Sequence, residues 1–133
     1  MFNAEAGKII RQRLVISRAK EILQTEGIDP KLKNKLRFLL SRGKVIYVDS
    51  TSAPAQGWKK GVYRGWSRHG MIALTSALWN SDGTVNQYQL TETMLHEMTH
   101  QIWPGYSANH PPGFREFYIH QTEIFYSMSS NLY

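Results

Sequence analysis

His96-Glu97-Met98-Thr99-His100 has the form H-E-x-x-H, and the rest of the chain is read outward from it. On a helix, residues four apart share one face, one turn apart. The two imidazoles can therefore approach a single ion from the same side. Glu97 follows the first histidine and points near the same centre, where it can hold a water and take its proton. A catalytic zinc takes three protein ligands and keeps one position open. The pentapeptide supplies two ligands and a base, so the third ligand must come from elsewhere.

The flanking residues predict that the motif lies inside a buried helix. Leu90, Met94, Leu95, Met98 and Ile102 recur at steps of three and four. Thr84 with Gln87 resembles a capping box at the helix start, and Pro104-Gly105 ends it. The expected length is about 18 residues. Two histidines and a glutamate are costly to bury there without a ligand.

Upstream, residues 8–26 predict a first helix, with Ile10, Leu14, Val15, Ala19, Ile22 and Leu23 as its apolar stripe. Arg11, Arg13, Arg18 and Lys20 are expected off that stripe. Gly27 is a C′ residue, and Asp29-Pro30 reads as an N-cap with proline at N1. Leu32, Leu36, Leu39 and Leu40 then mark a second amphipathic helix over 30–42, closed by Gly43. Val45–Val48 is a strand, and 49–60 is a loop containing Trp58. Residues 61–66 predict a second strand, 67–70 a turn, and 71–74 a third strand paired with the second as a hairpin. Beyond the motif helix, the prolines and glycines of 103–113 predict an irregular loop. A closing helix runs from Phe114 to about Met128. The expected fold is one α+β domain over residues 1–133: two N-terminal helices, a small three-stranded sheet, the motif helix and a C-terminal helix.

The chain has 133 residues, no cysteine and 12% aromatic residues, enough for a packed core without disulfides or a cysteine-bound zinc. No apolar run reaches membrane-span length, and Met1 to Lys20 contains no secretory h-region. A cytoplasmic protein is expected. Residues 1–44 hold eleven cations and four anions, a balance of +7 in a chain of net charge +6. A basic third on a near-neutral remainder suggests a polyanionic partner such as nucleic acid. Arg11, Arg18, Lys31, Lys35 and Arg42 are the candidate contacts, for weak and sequence-independent binding.

For the third ligand the candidates are His110, in the loop after the motif helix, and His120 and Glu123, on the closing helix. His69 falls in a predicted turn. Tyr106, Tyr118 and Tyr126 can donate a hydrogen bond to an oxyanion, although tyrosines in so aromatic a chain serve first as packing.

The pairing of His96-Glu97-Met98-Thr99-His100 with His110-Pro111-Pro112-Gly113-Phe114 resembles the SprT-like metalloproteases, the group that includes Spartan. Those domains carry H-E-[ML]-x-H, a variable loop, and then His-x-x-x-Phe at the head of the next helix. Leu95 before the motif and the strand Met71-Ile72-Ala73-Leu74-Thr75 also resemble that family. The resemblance spans roughly 8–128, and only the two short motifs are specific. It implies a zincin-like fold, one zinc ion on His96, His100 and His110, Glu97 as general base, and cleavage of peptide bonds in DNA-associated proteins. Pro111 stands where the family usually has glycine, and no cysteine ribbon follows. The strand at 71–75 is expected to bind an extended peptide along its edge. Two alternatives are a metallopeptidase that cuts a soluble or cell-wall peptide without nucleic acid, and a non-catalytic DNA-binding module with a vestigial metal site. Glu97 weighs against the latter, since a structural site needs no base.

Overall fold

The computed structural model of the chain describes residues 4–52, 61–103 and 110–130, the last two without their side chains. The elements are α1 (Ala4–Gln24), α2 (Pro30–Ser41), β1 (Val45–Val48), β2 (Gly65–Arg68), β3 (Met71–Thr75), a short 3-10 turn (Ser76–Leu78), α3 (Gln87–Ile102) and α4 (Phe114–Ser130). They form an α+β fold of four helices and a small mixed sheet. The strand order is β1-β3-β2, with β1 parallel and β2 antiparallel to β3.

Local chemistry explains most of these boundaries. Asp29 caps α2, its Oδ1 accepting from the Lys31 and Leu32 amides at 2.8 and 3.3 Å, and Pro30 opens the helix. Leu32, Leu36 and Leu39 then turn wholly inward. Val15, Ala19 and Ile22 of α1, Ile72 and Leu74 of β3, and Leu90, Met94, Leu95 and Met98 of α3 join them in one core. The four α3 side chains are fully buried, and each contributes about 2 kcal/mol. That sum is large enough to hold polar groups on the same helix out of water.

Several expectations need correction. Ile10, placed on the buried stripe of α1, is 65% exposed and Ile9 52%, so the fully buried apolar stripe of that helix begins only at Val15. Arg18, expected outward, is buried: it lies three residues after Val15 and four before Ile22, on the stripe itself. Its guanidinium donates to the Gln87 carbonyl, Gln87 Oε1 and Thr91 Oγ1 at 3.2, 2.7 and 2.6 Å. It also lies 5.7 Å from the centre of the Phe125 ring. Arg18 is thus a bolt between α1, α3 and α4, and is withdrawn from the nucleic-acid candidates.

The second strand covers 65–68 rather than 61–66. The Tyr63 amide donates to the Thr51 carbonyl, and Thr75 Oγ1 donates to the Tyr63 carbonyl, so residues 61–63 are held off the ladder, which begins with the Thr75 amide bonded to the Arg64 carbonyl. Ser67 and Arg68 belong to the strand, and the turn shrinks to His69-Gly70. The strand at 71–75 is central, with both edges occupied, so it has no free edge for a peptide. Helix α3 is 16 residues long and is capped by Asn86, whose side chain accepts from the Gln89 amide. Thr84 cannot cap it, because its hydroxyl is bonded to Asp82 at 2.6 Å and to Asn80. Trp58, Pro104-Gly105 and Tyr106 lie outside the described residues. Among the described residues, no helix is long and apolar enough to cross a membrane.

Candidate metal centre

Helix α3 carries His96 and His100 one turn apart, with ring centres 5.0 Å from each other. Its opposite flank is anchored by Leu90, Met94, Leu95 and Met98, so both imidazoles face α4 and the sheet edge. His110 precedes α4 and comes back over the pair at 4.8 and 5.1 Å. The turn that returns it is closed by the Phe114 amide donating to the Pro111 carbonyl at 3.0 Å. Gly113 adopts φ +87 in that turn, a conformation that side chains other than glycine rarely take.

Phe114 is the aromatic base of the cluster. It is 1% exposed, stacks on His110 at 12° and 4.8 Å, and touches His96, His100 and Trp103. The nearest ring nitrogens of the three histidines lie within 4.8 Å of one another. That is close enough to bind one metal ion, and only somewhat wider than the roughly 3.3 Å expected between nitrogens of a tetrahedral site. Burial, and then the neighbouring His100 and His110, push the His96 pKa down to about 3, so His96 offers a neutral nitrogen. Among the described residues this is the one group of three or more metal-ligating side chains. His120 and Glu123 are exposed on α4 and outside it, and His69 is exposed in the hairpin turn.

Glu97 lies beside the triad, 6% exposed, and burial pushes its carboxyl up to about 8. It forms part of the floor of a cleft of about 640 Å³ that is lined also by Arg64, Gly65, Glu92, His96 and Tyr118. Gly65 is where α3 comes closest to the sheet. A Cβ there would lie 2.8 Å from Thr93 Cγ2, 2.9 Å from the Ala73 carbonyl oxygen and 3.2 Å from Glu97 Cγ. Gln101 clamps the far end of the same interface, its amide donating to Ser67 Oγ and to the carbonyls of Arg68 and Met71.

Sequence reasoning did not single out Gly65 or Glu92. A glycine opening a strand opposite a helix was the available signal for the first. Glu92 sits one turn before His96 on the same helix face. Tyr118 was weighed as packing, yet it follows Phe114 by four residues and shares its face of α4. Of the basic candidates, Lys31 and Arg42 are exposed. Lys35 and Arg11 are half-buried, the latter bonded to Tyr47 Oη at 2.7 Å and lying over the Trp79 ring. None of them lies in the cleft.

Comparison of the chain with protein-family models, with curated proteins and with solved structures finds no match, so the likeness to SprT-like proteases rests on the motif residues alone.

Proposed function

We propose that this chain is a zinc-dependent endopeptidase of the SprT-like, zincin type. The observation that carries the reading is the placement of Glu97: a buried carboxylate in the floor of an open cleft, beside three histidines that converge on one point. Three imidazoles are a donor set suited to a catalytic zinc, which would take three protein ligands and keep one position for water. When bound there, zinc acts as a Lewis acid that lowers the pKa of water towards 7 and polarises a carbonyl.

The chain's own residues supply the remainder. His96, His100 and His110 would hold the ion through their ring nitrogens. Glu97 accepts a proton from the attacking water and passes it to the departing amine nitrogen. Its burial raises its basicity, and the cation beside it keeps it ionised. The substrate backbone is aligned by β2. The Thr75 amide donates to the Arg64 carbonyl, which makes 64–75 a hydrogen-bonded pair. Alternation then turns the Gly65 amide and carbonyl away from β3, along the cleft. An extended peptide added to that edge passes His96 and Glu97. The opposite edge of the sheet is closed: the Gln12 side chain donates to the Val45 carbonyl at 3.2 Å and accepts from the Tyr47 amide at 2.6 Å, mimicking a further strand.

The test pairs metal content with cleavage. Wild-type protein is expected to bind one zinc and to cut unfolded casein. Glu97→Gln keeps the zinc and loses cleavage by about 10²–10⁴-fold. His110→Ala loses stoichiometric zinc, whereas His120→Ala and Glu123→Ala keep it. Full cleavage by Glu97→Gln overturns the mechanism, and zinc retained by His110→Ala overturns the ligand set.

A further inference from the structure

We infer that the phenol of Tyr118 is a second catalytic group of the cleft, donating a hydrogen bond to the substrate's carbonyl oxygen as it becomes tetrahedral. This rests on the endopeptidase reading and adds to it a residue that neither short motif contains.

Three features of the site support the assignment. Tyr118 comes from α4, not α3, so it reaches the cleft from a different wall than Glu97. Its ring centre lies 4.7 Å from that of His96, beside the metal position, and it lines the cleft directly. Finally, its hydroxyl makes no hydrogen bond among the described residues. Two other half-buried tyrosines spend theirs: Tyr126 Oη donates to the Gln87 carbonyl at 2.8 Å, and Tyr47 Oη donates to Asp49 at 3.1 Å. A half-buried phenol with an unspent donor, facing a cleft, has a role that packing alone does not require, because phenylalanine fills the same space. Phe117, its neighbour, already provides the edge contact to Trp103.

The chemistry fits the position. A tyrosine keeps its proton at neutral pH, so it donates without a proton being transferred. The substrate carbonyl gains negative charge when water adds, and a fixed donor aimed at that oxygen binds the transition state more tightly than the ground state. Arg64, on the far side of the cleft, is more exposed and on a longer side chain, and is less fixed for that role. Glu97 cannot fill it, being occupied with the proton of the water. Tyr118 and Glu97 thus divide the work: one moves a proton, the other holds an oxygen.

The experiment compares two zinc-directed probes on zinc-loaded protein by calorimetry: N-phosphoryl-leucyl-tryptophan, whose phosphoryl group imitates the tetrahedral centre, and mercaptoacetyl-leucine, which binds zinc through sulfur alone. Tyr118→Phe is expected to retain one zinc and an unchanged Tm. It should weaken the phosphoryl probe by at least 10-fold and leave the thiol probe within 2-fold. Where peptide is cut, the loss should fall on kcat with KM nearly constant, on the order of 10²-fold. Equal affinity of both proteins for the phosphoryl probe overturns the role of Tyr118 while leaving the endopeptidase reading intact. Equal weakening of both probes also overturns it, by showing a structural role. Failure of zinc-loaded wild-type protein to bind either probe overturns the endopeptidase reading itself, and Tyr118 with it. Tyr118→Trp, which keeps a ring N–H donor, should behave nearer to wild type than Tyr118→Phe with the phosphoryl probe.

Discussion

At the scale of single residues, His96 and Glu97 hold opposite debts to burial. Glu97 is pushed up to about 8 by desolvation, and His96 is pushed down to about 3. In metal-free protein each therefore makes stability depend on pH. The folded state holds the Glu97 proton more tightly than the unfolded chain, whose carboxyl titrates near 4.5. Its contribution is complete below pH 4.5 and is lost as pH rises towards 8. His96 behaves in reverse: its folded pKa lies below 6.5, so stability falls as pH drops from 6.5 towards 3. Urea unfolding in the presence of chelator isolates the first effect. Metal-free Glu97→Gln should exceed wild type in stability by a margin that widens between pH 4.5 and 8, with a ceiling of about 1.4 kcal/mol per pH unit, and flattens above 8. A margin that stays constant with pH would mean that Glu97 is not desolvated as described. Zinc added at pH 8 should shrink the margin, because a cation beside the carboxylate offsets the cost of ionising it.

At the scale of elements, the site is a seam between α3 and the outer strand β2, and Gly65 sets its width. Adding one methyl there brings it within 2.9 Å of the Ala73 carbonyl oxygen, which belongs to the central strand and cannot give way. Moving the methyl away from that oxygen presses it onto Thr93 Cγ2, already 2.8 Å off, and Glu97 Cγ, so α3 has to lift, carrying Glu97 with it. Gly65→Ala is therefore expected to cost about 1–3 kcal/mol in urea unfolding. Its activity should fall further than that loss explains, since a shift of about 1 Å at reacting groups costs on the order of 10²-fold. Full activity at unchanged stability would show that the helix does not rest on that glycine. The same seam marks where sequence reading stopped. Helices α2 and α4 and the motif helix were legible because a cap, a proline or a 3.6-residue apolar period announces each, and strand β1 because a short β-branched run stands between turn residues. The start of β2 was not, because Thr51 and Thr75, distant in sequence, hold residues 61–63 off the ladder. The cap of α3 was read at Thr84 and stands at Asn86, because Asp82 engages the Thr84 hydroxyl. The nearness of His110 to His96 and His100 could be anticipated from a motif, but the cleft and the place of Tyr118 in it depend on how α4 crosses α3, and that of Gly65 on how α3 lies on β2.

At the scale of the whole molecule, the charge is segregated: the basic third of the chain folds as α1 and α2, and the cleft lies elsewhere. Burial of Arg18 shows why a charge count overstates a surface, since one of the five chosen cations is an internal bolt. The remaining cations still leave a pattern. Lys31, Lys35, Phe38 and Arg42 follow one another at i, i+4, i+7 and i+11, a single stripe along α2. Phe38 is 45% exposed, and Arg42 and Lys35 lie 4.5 and 5.5 Å from its ring centre. Two cations beside an accessible ring, with Lys31 one turn further along the stripe, suit a phosphate backbone, and the ring can stack on an unpaired base. We propose that this stripe gives the chain a weak hold on DNA, which would bring the proposed peptidase to DNA-associated substrates. Nothing on α2 resembles a base-reading element, so affinity should not depend on sequence. Each phosphate contact contributes about −0.9 to the slope of log K against log salt on duplex and about −0.7 on single strands. Changing Lys31, Lys35 and Arg42 together to Gln should flatten that slope by roughly 2 to 3. Phe38→Ala should leave the slope nearly unchanged and weaken single-strand binding alone. Arg18→Gln, by contrast, should lower stability without changing the slope, which separates the bolt from the surface. A titration at two salt concentrations decides between the outcomes. If wild type does not bind at low salt, or if the triple variant keeps the full slope, then α2 is merely a solvated face. The substrates would then be sought among soluble or cell-wall peptides, with the cleft chemistry unaltered.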